Sequence, residues 1–276
     1  MRRMASLIIF LLLYAATAEA QGNLSDVFNT IRTEGRSLTP GSRTRMFAIL
    51  ATYSTGERLA GEWQTLNDAI TDRDPYVRDQ ACAALAGIML VNQARRILLP
   101  DTTRDLVIER FSEKDKNLRE NAIRIIALMA GGVPPTLTTE LLRIARTDSE
   151  SSVRGVAISA LASIPSPSPE INDFWLESLK DTGNSSRRGM VLNAFRFNTT
   201  THSEVIVLII GALRDPNFYV RQEAIAAVVR IGKPAAAAIP LLQEIRDAPV
   251  SDQFGELLRS NAESAIRILS EPATDR

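Results

Sequence analysis

The sequence predicts an all-α fold, a right-handed α-solenoid of about six or seven helical hairpins in an armadillo-type superhelix. An arginine motif recurs along the chain at intervals of 35, 41, 35, 34, 33 and 38 residues, which is typical of helical-hairpin repeats. Small or apolar residues follow each arginine at offsets of 3, 6 and 7 and, in every copy but the one at Arg188, at offset 10, and these offsets lie on one face of an α-helix. The 276 residues exceed the usual size of one globular core, whereas the core of a solenoid grows in one dimension.

Each motif predicts the second helix of a hairpin, which we term the B helix. Apolar positions at helical spacing before each motif predict a first helix, the A helix, which carries Trp63 in the first hairpin and Trp175 in the fourth. The copy at Ser185-Ser186-Arg187-Arg188 departs from the motif, because it lacks the apolar residue that precedes the other arginines. The motif arginines are Arg78, Arg119, Arg154, Arg188, Arg221 and Arg259, after a degenerate first copy at Arg43.

Turn-forming residues agree with these helix boundaries. Asp74-Pro75 and Asp215-Pro216 precede two B helices, where aspartate can cap free amides and proline fits the first turn. The proline-rich stretch 165–169 predicts a non-helical linker between two repeats. A first helical segment near residues 24–34 is expected to cap the array.

The N-terminus has the pattern of a secretory signal peptide over residues 1–20. Two arginines precede an apolar run, which ends at the small-residue site Ala18-Glu19-Ala20. Residues 21–276 then form one solenoid domain, exported to the periplasm or secreted, with no membrane span after cleavage. An uncleaved N-terminal anchor is the alternative. The 32 basic and 32 acidic residues balance, so bulk charge does not indicate a nucleic-acid partner.

The stretch from Asp74 to Leu85, Asp-Pro-x-Val-Arg-x-x-Ala-x-x-Ala-Leu, resembles the HEAT-like repeat of the phycobilisome-lyase type. The segment from Gly232 to Leu242 looks like the inter-repeat segment of the same family. The resemblance covers about residues 40–270 and implies the fold. It implies no single function, because lyases, hydroxylases and scaffolds share these repeats.

Two interpretations of the arginine row differ in function. The arginines could bind an anionic ligand. Alternatively, hydrogen bonds between aspartate and arginine could connect each turn to the neighbouring one. Acidic residues close to the arginines favour the structural ladder. These are Asp74, Asp115 and Glu150, four residues before their arginines, and Asp215, six residues before Arg221.

Residues that carry catalysis are scarce in this sequence. Histidine occurs once, at His202, and cysteine once, at Cys82, and no phosphate loop, HExxH or GxSxG motif is present. One histidine cannot supply the several His-Glu pairs that an iron-dependent hydroxylase with HEAT repeats needs. We therefore predict no catalytic, metal or cofactor site, and interpret Cys82 as a small buried residue.

The B-helix face at offsets 2 and 9 is expected to line the concave surface of the solenoid. Val156 and Met190 at offset 2 and Phe197 at offset 9 interrupt an otherwise polar pattern. An exposed apolar patch in a groove is typical of a partner site. Burial of these side chains by local packing is the alternative.

Together these patterns predict an exported, non-catalytic scaffold or adaptor that binds a protein partner through its concave surface. Two other classes stay open. One is a lyase-like enzyme on a HEAT-repeat scaffold, and the other is a structural protein of the cell envelope.

Overall fold

The structure is a computed structural model that describes residues 22–39, 41–42, 46, 49–50, 52–53, 58–91, 97–130, 132–249 and 252–271. The predicted signal peptide and Arg43 lie outside these residues. Within them the secondary structure is entirely helical. None of the described helices is both long and apolar enough to cross a membrane.

Thirteen α-helices are present in the described residues. In chain order they are α1 Leu24–Glu34, α2 Trp63–Ile70, α3 Pro75–Val91, α4 Asp101–Glu109, α5 Lys116–Leu128, α6 Thr138–Thr147, α7 Ser151–Ala162, α8 Pro169–Lys180, α9 Ser185–Phe195, α10 Ser203–Gly211, α11 Phe218–Ile231, α12 Ile239–Asp247 and α13 Gln253–Ser270.

The predicted all-α hairpin architecture is confirmed. The even-numbered helices from α2 to α12 are A helices, and each leads into the B helix that follows it. Each of the six described motif arginines lies in a B helix. Helix α1 occupies the predicted first segment, residues 24–34. The right-handed superhelical sense stays a prediction.

Burial at offset 3 of the motif sets the orientation of every B helix. The side chain at this position is fully buried in all six copies, and it is alanine in five of them. Such a small side chain lets a neighbouring helix approach closely, while larger residues such as Leu85 fill the remaining space. Cys82, next to Ala81, is fully buried as interpreted, and burial raises the pKa of its thiol to about 12.

The helices form two compact units. Unit 1 comprises residues 1–135 and 149–156, so its described helices are α1 to α5 and the first half of α7. Helix α3 packs against α2 and α5, and α1 packs against α2 and α3. The buried hydroxyl of Tyr53 accepts a hydrogen bond from the Leu24 amide at 3.2 Å and donates one to Glu62 at 2.9 Å. These bonds tie the first turn of α1 to the chain before α2.

Unit 2 comprises residues 136–148 and 157–276, which include α6, the second half of α7 and α8 to α13. Helix α11 packs between α9 and α13, and the A helices α8, α10 and α12 each pack against their own B helix. The indole of Trp175 on α8 is buried edge-on against Phe195 of α9, with ring centroids 5.4 Å apart. The A-helix position predicted for Trp175 is therefore part of the core.

Two features differ from the sequence expectation, one helix boundary and one helix with an irregular motif. The proline-rich linker is shorter than predicted, because Pro169 is the first residue of α8. A proline fits there since the first helical amide has no intrahelical acceptor. The irregular motif before Arg188 still forms a regular helix, because Asn184 caps α9 by accepting a hydrogen bond from the Arg187 amide at 2.9 Å.

Candidate functional site

The motif arginines bond to backbone carbonyls of the turn between the A and B helices. Arg221 donates to the carbonyls of Asp215 and Pro216 at 2.7 and 3.0 Å. Arg78 and Arg119 donate in the same way to the carbonyls five and six residues before them. Arg154 donates to Ser149 and Arg259 to Ala248. These bonds satisfy acceptors that a turn leaves without helical partners.

Two arginines also reach an acidic residue of the following repeat. Arg188 donates to the carboxylate of Asp215 at 2.7 Å, and both side chains are buried, with 5% and 8% of their surface exposed. Arg78 donates to the carboxylate of Glu113 at 3.1 Å, an acid that was not among those named from the sequence.

The other acidic residues near the arginine row have different partners. Asp74 and Asp115 instead accept hydrogen bonds from the amides at the start of their own B helices. Glu150 lies 3.8 Å from the ammonium group of Lys116. The bonds of the arginine row named above thus join residues within a repeat or in neighbouring repeats.

The outward face of the B helices in unit 1 is polar and hydrogen-bonded. Asn121 on α5 donates to Asp79 on α3 at 3.3 Å, and Gln80 donates to the other carboxylate oxygen at 3.1 Å. Arg124 joins this group through bonds to Asn121 and Glu120 at 3.2 and 2.9 Å. Burial raises the pKa of Asp79 above its ordinary value, and the charge of Asp115 acts in the same direction.

The corresponding face in unit 2 carries several exposed apolar side chains among polar ones. We call it the B face of unit 2. On each helix its residues are separated by one, three or four positions and therefore share one side of the helix. They are Met190, Asn193, Arg196 and Phe197 of α9 and its end, Tyr219, Gln222, Ala226, Val229 and Arg230 of α11, and Phe254, Leu257, Asn261, Ser264 and Ile268 of α13.

Exposed apolar side chains concentrate on this surface. Among the described residues, seven large apolar side chains are exposed, and five of them belong to the B face of unit 2. The five are Phe197 (54% exposed), Phe254 (52%), Tyr219 (46%), Ile268 (46%) and Leu257 (43%). Single exposed apolar residues are ordinary, but a group on one face is typical of an interaction site.

An open groove of about 510 Å³ runs along the same surface. Ile225, Val229 and Ile268 give it an apolar lining, and Arg196 and Arg230 contribute two positive charges. The residues that line it include no acidic side chain. Side chains of α11 and α13 form most of its surface, so their packing fixes its shape.

Tyr219 and Glu223 join α11 to α9 beside the groove. The ring of Tyr219 lies over Gly189, where a Cβ atom would come within 2.5 Å of it, so only glycine allows this approach. Glu223 is almost fully buried and accepts a hydrogen bond from Asn193 at 2.9 Å. Burial and the charge of Glu223 raise the pKa of Tyr219 above its ordinary value.

The structure places the three predicted partner-binding residues differently from one another. Phe197 is exposed, whereas Met190 on α9 is half-buried and Val156 on α7 is half-buried in unit 1. Offset 9 is exposed in α11 and α13, at Arg230 and Ile268.

Offset 2 does not uniformly line an open surface, since Glu223 holds that position in α11 and is buried. Sequence analysis missed Tyr219 and Leu257, which both stand two residues before their arginines. A comparison of that position across the repeats was the available signal.

The described residues contain no cluster of three or more histidine, cysteine, aspartate or glutamate side chains placed to hold a metal ion. His202 precedes the first residue of α10 and makes no capping bond with its side chain. The B face of unit 2 is therefore the candidate site that the geometry offers.

Comparison with protein families identifies the repeats. The family described as HEAT repeats matches residues 64–162. This part of the chain carries HEAT repeats. The match contains the stretch from Asp74 to Leu85 on which the resemblance was based. A search of curated proteins finds no match.

Several solved structures are similar to the chain over most of its length. An engineered protein has 19% identity and a TM-score of 0.37, with 88% of this chain and 96% of that chain covered. Human deoxyhypusine hydroxylase in complex with glycerol has 17% identity and a TM-score of 0.38, with 97% and 96% covered. The complex of CpcE and CpcF of phycocyanin lyase from Nostoc sp. PCC7120 has 15% identity and a TM-score of 0.32, with 75% and 98% covered. Values this low carry no inference about function.

The buried pair of Arg188 and Asp215 predicts a large stability effect. Asp215→Ala leaves the Arg188 guanidinium buried without its counter-charge, and we expect a loss of about 3–5 kcal/mol in the free energy of unfolding of unit 2. Urea unfolding followed by Trp175 fluorescence in a Trp63→Phe background measures it. Glu244→Ala removes the exposed pair with Arg214 and should cost less than about 1 kcal/mol. Equal losses in the two variants would contradict a fastening role for the buried pair.

Asp79 predicts a pH-dependent stability difference in unit 1. Because the pKa of its carboxyl is higher in the folded than in the unfolded state, its ionisation lowers stability as the pH rises from about 4. Asp79→Asn cannot ionise, and Gln80 can turn its amide to meet the new donor. We expect a higher thermal midpoint than the parent at pH 7 and no such advantage at pH about 3. Asp105→Asn on the exposed side of α4 is the control, and an equal gain there would refute the assignment to Asp79.

Proposed function

We propose that the protein is an exported, non-catalytic scaffold that binds a protein partner on the B face of unit 2. The concentration of exposed apolar side chains on this face carries the proposal. Each Å² of apolar surface left in water forgoes about 25 cal/mol of stabilisation, so a cluster of five such side chains is costly to the free protein. Covering them with a partner recovers that free energy.

The construction of the face suits recognition. Its side chains stand on helices held by buried residues, so little conformational entropy is lost when a partner docks. The aromatic rings of Phe197, Tyr219 and Phe254 offer large contact areas with few rotatable bonds. Phe254 is further held by edge contact with Phe218, at a centroid distance of 5.0 Å.

Export is the second part of the proposal, and the N-terminal sequence supports it. Residues 1–20 combine a basic start, an apolar run and a small-residue site in the order that signal peptidase requires. A preformed binding surface held by packing alone, with its single cysteine buried, needs no disulfide to persist outside the cytoplasm.

Substitutions on the B face test the binding site. Ile268→Glu places a charge beside the groove, and we expect at least a tenfold loss of the partner captured by the mature chain from its native envelope fraction or medium. Val207→Glu is the matched control, because Val207 is the other helical apolar residue with high exposure, at 64%, and lies on the A helix α10. Circular dichroism checks that both variants fold. Capture that survives Ile268→Glu and fails with Val207→Glu would move the site to the A helices.

The mature N-terminus tests export. Mass spectrometry of the protein from its native host should find a chain that begins at Gln21 in the exported fraction. Replacing Ala18 and Ala20 by arginine removes the small residues that cleavage requires, so the precursor should accumulate in the membrane fraction. A soluble cytoplasmic chain that begins at Met1 would overturn this part of the proposal.

A further inference from the structure

The positive charge on the B face of unit 2 is not neutralised by neighbouring acids. Arg230 is exposed and has no ion-pair or hydrogen-bond partner among the described residues. The guanidinium of Arg196 is 3.8 Å from Glu223 and 43% exposed. It also lies over the ring of Phe197, with 5.7 Å to the ring centroid. Both arginines line the groove and can accept a new carboxylate.

The acid that faces Arg196, Glu223, already has a partner inside the protein. Glu223 is 3% exposed, and its carboxylate accepts a hydrogen bond from Asn193. Its charge offsets part of the charge of Arg196 and leaves that of Arg230 uncompensated. An approaching anion therefore meets two cationic groups and no exposed acid among the groove-lining residues.

Apolar side chains and the uncharged polar residues Gln222, Asn261 and Ser264 share the groove with the two arginines. Ile225, Val229 and Ile268 line it, and the rings of Phe197 and Tyr219 extend the same face beyond it. A nucleic acid is a poor match, since two cations neutralise few phosphates and the apolar surface would stay uncovered. A peptide that carries both carboxylates and large apolar side chains matches both properties of the face.

We propose that the groove of unit 2 binds an acidic, apolar peptide segment of the partner, whose carboxylates pair with Arg196 and Arg230 and whose apolar side chains cover Val229 and Ile268. This inference rests on the proposed binding function and adds the chemistry of the segment that is bound. The apolar contacts hold the segment, and the two arginines select against basic competitors.

Selection from random peptides of about 16 residues, displayed against the mature chain, tests this chemistry. We expect the enriched sequences to be net negative and to contain large apolar residues. The best of them is then synthesised with a twin in which lysine replaces every acidic residue, so that the two differ in charge and share the apolar positions. Fluorescence anisotropy measures the affinity of each for the parent and its variants.

Charge reversal of the protein should reverse the preference of the peptides. Arg230→Glu should lower the affinity for the acidic peptide about fivefold or more. The Arg196→Glu/Arg230→Glu double variant should bind the lysine twin more tightly than the acidic peptide. Raising the salt concentration from about 50 to about 500 mM should weaken the binding of the acidic peptide to the parent chain. It should strengthen the binding of neither peptide. Val207→Glu should leave both affinities unchanged, and circular dichroism checks the fold of every variant.

The outcomes separate the two proposals. The enriched peptides could be neutral or basic, bind Ile268→Glu more weakly than the parent, and bind Arg230→Glu as well as the parent. That result would overturn the acidic specificity and leave the B face as the binding site. Peptides whose affinity is the same for the parent and for Ile268→Glu would overturn both proposals. If no peptide is enriched while DNA or anionic lipid vesicles bind the parent chain and not the Arg230→Glu variant, the ligand is a polyanion and the inference is wrong.

Discussion

The packing of each B helix through a small, fully buried residue is the constraint on which the rest of the structure depends. A helix in a repeat array can bury its apolar stripe only against its neighbours, and the buried residue at offset 3 fixes which side of the helix faces inward. Once that side is fixed, the arginine at the start of the motif is held over the turn before it. The outward residues are fixed as well, because they follow from the same helical register.

The same register carries opposite chemistry in the two units. In unit 1 the outward side chains of α3 and α5 bond to one another, so Asp79, Asn121 and Arg124 satisfy much of their own hydrogen-bonding capacity. Such a face has little to gain from a partner, since docking would only exchange bonds already made. In unit 2 the outward face presents rings and aliphatic groups that packing within the chain does not cover. The proposed binding site is therefore the face on which the fold leaves large apolar side chains uncovered.

Most of the fold could be predicted from sequence, and much less of the site could. Periodicity identified the repeats, since the buried face needs the same residue types in every copy. The exposure of a side chain at a given offset depends on which side chain of the adjacent helix lies opposite it. These opposing side chains do not repeat from one copy of the motif to the next. Glu223 shows the difference, because it shares offset 2 with half-buried Met190 and yet is buried through its bond to Asn193 on the preceding B helix. Phe197 was predicted because it interrupts the polar pattern at offset 9, and its side chain is exposed.

An exposed apolar residue alone argues for nothing, since more than half of a typical protein surface is apolar. The arrangement of these residues is what distinguishes unit 2. Tyr219 and Leu257 hold the same position of the motif in successive repeats, and Phe197 and Ile268 hold another. Exposed side chains that recur in register line up along one surface, as a single extended ligand requires. The approach of Tyr219 to Gly189, which a side chain at that position would prevent, indicates that the surface is built and held by the packing beneath it.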